Sequence, residues 1–316
     1  MKLAFDIWKV PRSITVINYY IEYYHEPVVP PVRPYAIMNA FAVTHEVSLR
    51  LGLFAATFVL IAIAEMIAPR RQPTVDKATR WKNNLFLTVI NTVAVRIIFP
   101  FTAIAVAGFA EERGIGLFNG APIPFWMAAL VALPALDVAI YLQHRVFHAV
   151  PVLWRLHRMH HSDLDIDVTT GTRFHTIEIL LSMLIKFLVI IVLGAPVISV
   201  LIFEILLNAT SMFNHGNVHI PAGIERIARW FVVTPDMHRV HHSIDPVETN
   251  SNFGFCLPWW DRVLGTYTAQ PAMGHEGMIT GIAQFRSPQD ARLDRMLLQP
   301  FIPDKSVTIG SSQRVS

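Results

Sequence analysis

Long apolar stretches separated by short polar ones dominate the chain between residues 51 and 207. The runs at 51–68, 85–110 and 123–142 each approach the ~20 residues that cross a bilayer as a helix. The run at 177–207 is too long for one helix and is interrupted at Gly194-Ala195-Pro196. Because the arm after this break is short, we predict a helical hairpin that returns to the same side of the membrane.

This pattern predicts an all-α integral membrane bundle of three spans plus the hairpin, with a helical cap on the cytoplasmic side. The loop after the first run carries five Lys or Arg residues between 70 and 82, whereas the next loop carries Glu111 and Glu112. By the positive-inside rule the first loop is cytoplasmic. The hairpin would bring Lys186 and Glu204 to a similar depth, where ionisable groups need partners, so we predict an ion pair between them.

The two ends of the chain differ from this apolar middle. Residues 13–26 contain four tyrosines at helical spacing, which favours an interfacial helix, and a proline-rich linker follows. Near the C-terminus, Ser287, Pro288 and Asp290 begin a short amphipathic helix, and we expect a disordered tail after it. We expect this helix to lie on the cap or the membrane surface.

Ten of the fourteen histidines fall into four short groups. They are His144 and His148; His157, His160 and His161; His215 and His219; and His238, His241 and His242. Residues at i, i+3 and i+4 share one face of a helix, so each group would present its imidazoles together. Neutral imidazole is the commonest protein metal ligand, and ten suit two ions of about five ligands each. Iron, copper, nickel and zinc all accept such ligands, so ligand type alone does not name the metal.

Several other classes are excluded by composition and spacing. The net charge of +3 comes without a dense Lys/Arg block, so we expect no nucleic-acid partner. The single cysteine, Cys256, allows no internal disulfide and no thiolate cluster within the chain. His45 and His275 are each followed by Glu but lack the second histidine of HExxH, which excludes a zincin.

The order HxxxH, HxxHH and HxxHH resembles the fatty acid hydroxylase/sterol desaturase superfamily of membrane di-iron oxygenases, in its bacterial form. "DVAIYLQHRVFH" is similar to the family's D-x-x-x-Y-x-x-H-R-x-x-H, with Asp137 and Tyr141 in register. "FNHGNVH" and "NFGFCLPWWDRVLGTY" resemble the segments before and after the second triplet. One departure is Thr176, which replaces a proline that often follows the first triplet.

The resemblance implies that the ten histidines hold two iron ions, with zinc as a possible surrogate, and that this di-iron centre uses O₂ to hydroxylate or desaturate a lipid. Six further residues are expected beside the ligands or the substrate: Asp137, Tyr141, Arg173, His175, Glu178 and Asn214. A carboxylate at Asp137 would orient a ligand imidazole through its other ring nitrogen. We expect the chain to divide into four parts: an N-terminal segment at residues 1–50, a transmembrane region at 51–132, a fatty acid hydroxylase-type domain at 133–268, and a C-terminal helix with tail at 269–316.

The implied partners are a membrane lipid and an external electron donor, which would be a ferredoxin, a cytochrome or a flavoprotein reductase. We expect the protein in a bacterial inner membrane, with its active site on the cytoplasmic side. Sterol desaturation, sterol C4-methyl oxidation and alkylglycerol ether cleavage share the same motifs and stay open. A non-catalytic metal-binding transporter or sensor is the alternative from another class. Transporters place their ligands near the midplane, whereas these histidines fall at or beyond the ends of the apolar runs.

Overall fold

The computed structural model describes residues 34–304, and every regular element in this range is helical. The part described contains no β-strand, only two isolated bridges, so the all-α prediction is confirmed. The chain divides into two compact units, residues 1–40 and 41–316, and all contacts described below lie within the second. The helix predicted at 13–26 and the tail after 304 lie outside the described residues.

The helices differ widely in length. The first eight are α1 Pro34–Ile67, α2 Lys77–Ile98, α3 Ala103–Glu112, α4 Leu117–Gly120, α5 Phe125–Ala149, α6 Pro151–His161, α7 Thr176–Leu193 and α8 Val197–Asn214. Six shorter ones follow: α9 Ala222–Ala228, α10 Pro235–His241, α11 Pro246–Thr249, α12 Trp259–Val263, α13 Gly274–Gly277 and α14 Leu293–Leu298.

Five helical segments between residues 34 and 304 are long and apolar enough to cross a membrane, which indicates an integral membrane protein. They are Ala36–Ile67, Lys77–Gly120, Phe125–Ala149, Thr176–Leu193 and Val197–Asn214. Large apolar side chains stay exposed on these segments, among them Leu60 and Val192, as expected for surfaces that face lipid. We refer to these segments together as the stem and to the remaining helical layer as the cap.

The predicted hairpin is formed by α7 and α8, but its second arm is longer than expected. Both arms have 18 residues. The helix continues beyond the apolar run, where the side chains of Asn208 and Thr210 donate to the carbonyls of Glu204 and Leu206, each at 2.8 Å. Both arms therefore reach the length of a span. The prediction that the second arm is too short to cross the membrane was wrong.

The tip of the hairpin is the three-residue connection that begins at Gly194. Gly194 has φ +63, a left-handed conformation that favours glycine, and it caps α7. Below the tip, Lys186 Nζ lies 2.8 Å from Glu204 Oε1, so the predicted ion pair is confirmed.

The apolar run at 85–110 is not one helix, because α2 ends at Ile98 and α3 begins only at Ala103. Pro100 lies in the break, where it interrupts the helical ladder, and Thr102 caps the new helix through Ala105 N at 3.2 Å. The first half of α2 packs against the cap. There Arg80, counted above as a basic loop residue, is buried and bonds to Asp163 and Asp167 at 2.7 Å.

The C-terminal segment packs on the cap, as predicted, but as two short elements rather than one. Ser287 begins a 3-10 turn with a capping box to Asp290, and Arg292 then adopts an extended conformation before α14 begins. Met296 of α14 is fully buried against Leu87 of α2 and Met159 of α6.

Candidate metal centre

The histidine motifs lie at helix ends where the stem meets the cap. His144 and His148 occupy the last two turns of α5, and the first triplet ends α6. Pro151 occupies the first turn of α6, a position that needs no backbone N–H. The second triplet lies in α10 and its C-cap, where Thr234 caps the helix through Met237 N at 3.3 Å.

Nine of the ten predicted ligands come together in two adjacent groups. Within each group, the ligand atoms lie within 4.8 Å of one another. The five-histidine group contains His144, His148, His157, His161 and His241. The four-histidine group contains His160, His215, His238 and His242. Each triplet is therefore divided between the two groups, because neighbouring positions on a helix point about 100° apart.

His219 is not part of either group, which corrects the expectation of ten ligands. α8 ends at Asn214, and beyond its C-cap residue His215 the chain is no longer helical, so the four-residue spacing does not place the two rings on one face. The backbone N–H of His219 donates to Ala68 O at 2.8 Å, and its side chain is exposed.

The spacing of the ring nitrogens fits metal ions. His215 Nε2 lies 3.1 Å from the Nε2 atoms of His160, His238 and His242, and His144 and His157 are separated by the same distance. Ligand nitrogens about 2.0–2.1 Å from a shared ion lie roughly 2.9–3.4 Å apart at tetrahedral or octahedral angles. One nitrogen cannot donate a proton to three neighbours, so a central cation accounts for this arrangement where hydrogen bonding does not.

Hydrogen bonds at the outer ring nitrogens select the tautomer that binds metal. Four carbonyls accept from Nδ1: Phe253 O from His144 at 2.9 Å, Arg173 O from His160 at 3.1 Å, Ser211 O from His215 at 2.7 Å and Ser251 O from His241 at 2.7 Å. With the proton held on Nδ1, the Nε2 lone pair is free to face the centre of the group. Nε2 of His148, His161 and His241 is buried without a hydrogen-bond partner in the described structure, as expected of atoms that bind metal.

The cap also keeps these imidazoles uncharged. Burial lowers the pKa of His215 to about 4. Burial, followed by the repulsion of neighbouring imidazoles, lowers the pKa well below its usual range for His160, His161, His238, His241 and His242. A neutral imidazole has a lone pair for a metal, whereas a protonated one does not.

Two carboxylates near the histidines, Glu178 and Asp137, have different partners. Glu178 Oε1 lies 2.7 Å from His157 Nδ1, so Glu178 is the carboxylate that orients a ligand imidazole. Among residues 34–304, Asp137 makes no hydrogen bond to a histidine. It accepts from Trp260 Nε1 at 2.8 Å and from the backbone N–H groups of Cys256 and Leu257, which corrects the role expected for it.

The other predicted residues lie near the site without reaching its ring nitrogens. Tyr141 bonds to Thr266 Oγ1 at 2.8 Å, and Asn214 donates to Phe255 O at 3.0 Å. Arg173 helps through its carbonyl, while its guanidinium is buried against α6 and α2. His175 is no ligand: its ring caps α7 at Ile177 N and lies 3.2 Å from Leu297 O.

Asp261 is a functional residue for which the sequence had predicted no role. Its carboxylate accepts from the N–H groups of Phe253 and Gly254 at 2.8 Å and from Thr266 Oγ1 at 2.7 Å. Burial raises the pKa of Asp261 to about 6. Asp261 and Asp137 thus bind backbone N–H groups of the same loop, residues 251–257. Carbonyls of this loop orient His144 and His241. The only sequence signal for Asp261 was its place in the matched "WWDRVLGTY" segment.

A cavity of about 330 Å³ opens beside the five-histidine group. His144 and His157 line one end, and Lys186 and Glu204 of the hairpin lie at the other. No member of the four-histidine group lines this cavity. The stem therefore offers a path to one of the two candidate metal sites.

Comparison with known proteins supports the resemblance seen in the sequence. The fatty acid hydroxylase family profile matches residues 129–266, which contain both histidine groups. No solved structure matches this chain.

Among curated proteins, an ornithine lipid hydroxylase of Rhizobium tropici is 27% identical over 69% of this chain and 67% of its own length. An alkylglycerol monooxygenase of Xenopus tropicalis is 27% identical over 54% of this chain, and a cholesterol 25-hydroxylase of Rattus norvegicus is 27% identical over 45%. The match spans 37% of the monooxygenase and 47% of the cholesterol hydroxylase, less than half of each.

Proposed function

We propose that this protein is a membrane-bound di-iron oxygenase of the fatty acid hydroxylase/sterol desaturase superfamily, whose fatty acid hydroxylase profile matches residues 129–266, and that it hydroxylates a C–H bond of a lipid. The observation that carries the proposal is the pair of adjacent histidine groups at the end of a stem cavity. The names of the similar proteins, hydroxylases and a monooxygenase of lipids, support an oxidoreductase.

The protein's own residues would prepare the site for this chemistry. Nine imidazoles would hold two irons, and zinc could replace iron in the purified protein. When bound, the irons supply the activation of O₂ for oxygen insertion into an unactivated C–H bond. Glu178 and the loop carbonyls fix the rings, and Phe147 and Phe174, which contact the ring of His157, give the cavity an apolar lining there.

Hydroxylation consumes one O₂, two electrons and two protons and releases one water. We propose that a ferredoxin, cytochrome or flavoprotein reductase delivers the electrons, at the cytoplasmic face of a bacterial inner membrane. The positive-inside bias of the sequence supports this orientation.

The first experiment measures metal and product together. Protein purified without chelator should contain close to two iron, or surrogate zinc, per chain. With ¹⁸O₂ and a reducing system, hydroxylation places the heavy atom in the lipid, whereas desaturation places it only in water. One metal per chain would overturn the di-iron assignment.

Ether cleavage is the second candidate, because an alkylglycerol monooxygenase is among the similar proteins. Comparative lipid mass spectrometry of cells with and without the gene separates the possibilities: an added hydroxyl supports the proposal, whereas loss of an alkyl ether lipid together with a new long-chain aldehyde supports cleavage. A transporter or sensor would alter cellular metal content and leave every lipid unoxidised.

A further inference from the structure

The stem cavity contains more charge than a path for a hydrocarbon chain needs. At its far end, Lys186 Nζ lies 2.8 Å from Glu204 Oε1, and Arg50 Nη1 lies 2.6 Å from Glu204 Oε2. Arg50 also pairs with Glu46 at 2.9 Å. The side chain of Glu204 is 1% exposed, so these charges form a built cluster rather than surface pairs.

Arg96 adds a positive charge that this cluster does not neutralise. It lies in the last turn of α2 and lines the same cavity. Arg96 is exposed, and within residues 34–304 it makes no hydrogen bond and no ion pair. Glu204 attracts its charge, but Glu204 and Glu46 already balance Lys186 and Arg50. The cluster together with Arg96 therefore has a net charge of +1. Ionisable groups at membrane depth mark substrate paths and find a partner of opposite charge.

The cluster and the metal end are joined by one face of the hairpin. Glu178, which orients His157, and Lys186 both line the cavity and are eight residues (186 − 178) apart on α7. Eight residues of helix cover about 12 Å. Between them, polar side chains such as Ser182 and Gln143, 2.8 Å apart, also line the wall.

We propose that this cavity binds an anionic lipid whose carboxylate or phosphate pairs with Arg96, beside the cluster of Arg50, Glu204 and Lys186. The rest of the molecule extends toward His144 and His157. This inference rests on the proposed function only in taking the cavity as the substrate site. It adds a specificity that the histidine motifs do not contain: the oxidised carbon belongs to a molecule whose negative group is held away from the histidines, at Arg96.

The test measures binding without turnover, on the full-length, metal-loaded protein in an uncharged detergent and without reductant. The probes are a long-chain fatty acid, the alcohol of the same chain length and a lysophosphatidic acid of that chain length. Each competes with a fluorescent fatty acid. We expect wild-type protein to bind at least one anionic probe about tenfold or more tightly than the alcohol, because a charge-assisted hydrogen bond is lost with the alcohol.

Arg96→Gln should remove this preference and leave alcohol binding unchanged, while Arg96→Lys should keep most of it. Arg113→Gln is the matched control, since Arg113 contacts Phe109 outside the cavity. The anionic probe that loses more affinity in Arg96→Gln identifies carboxylate or phosphate as the natural group. If wild-type protein binds acid, phosphate and alcohol equally, or if Arg96→Gln keeps the preference, the inference is wrong.

The comparison of anionic probes with the alcohol uses wild-type protein alone. It therefore tests the anionic site even if the Arg96→Gln protein folds poorly. Failure here is also distinct from failure of the proposed function. A protein with two irons that oxygenates a neutral lipid would refute only the anionic site. A protein that prefers the anionic probe but contains no iron and oxygenates nothing would refute only the oxygenase.

Discussion

The two histidine groups have the same ligand chemistry but different surroundings. The five-histidine group faces the stem cavity through His144 and His157, and its member His148 is only half-buried. The four-histidine group is wholly buried and lines no part of the cavity. Phe174 stacks on His160 with ring centroids 4.3 Å apart and itself lines the cavity, so it covers this group on the substrate side.

This difference indicates a division of work between the sites. A lipid in the cavity reaches the five-histidine group, so we expect oxidation there. The four-histidine group lies behind it, near enough that His161 and His242 stack at 4.5 Å. It also has no ligand to spare, since four is the usual minimum for a closed site.

The largest predicted effect tests this asymmetry directly. His215→Ala leaves the four-histidine group with three ligands and should empty it, reducing metal from about two to about one per chain. Activity should fall by about a thousandfold or more, because a metal supplies several kcal/mol of stabilisation. His148→Ala leaves four ligands in the other group and should keep both metals. Equal metal loss in the two variants, measured by elemental analysis, would refute the asymmetry.

A smaller effect is expected from Glu178→Gln, which keeps the shape of the side chain but removes the charge that orients His157. Such outer partners typically contribute about 10–100-fold in metal affinity or activity. Competition with a chelator should show faster metal loss from the five-histidine group. Glu112→Gln, at the far end of α3, is the matched control and should behave like wild type. A Glu178→Gln protein with normal metal retention and turnover would contradict this role.

Asp137→Asn tests the corrected role of that residue. The amide cannot accept from Trp260 and from two backbone N–H groups as the carboxylate does, so one donor is left unsatisfied at a cost of about 1–3 kcal/mol. Thermal unfolding should therefore occur at lower temperature, while the metal content of the folded protein stays near two per chain. If the variant loses metal without losing stability, the original assignment of Asp137 to a ligand imidazole would be restored.

The smallest effect is predicted for His219→Ala. Its exposed ring lies outside both groups, so metal content and turnover should stay within about twofold of wild type, as for most surface substitutions. The same two assays used for His215→Ala provide the measurement. A loss of metal comparable with that of His215→Ala would show that all ten histidines bind.

The sequence by itself determined the all-α class and the stem, and it singled out the nine histidines that the structure brings together. Apolar length predicts spans because backbone groups must bond within a helix in lipid. Clustered histidines predict metal because few other roles need them at one-turn spacing. These signals are local, and they hold wherever the residues stay helical, as they do in α5, α6 and α10.

Only the tertiary structure decided how these parts combine. It assigned His157 and His160 to different groups, because the group that each histidine joins depends on which residues of other helices face it. It separated His219 because the helix ends at Asn214. It gave Asp261 its role because the loop that Asp261 holds reaches His144, which is 109 residues away from Phe253 in sequence. Periodicity specifies which side chains share a face, whereas long-range packing specifies what that face meets.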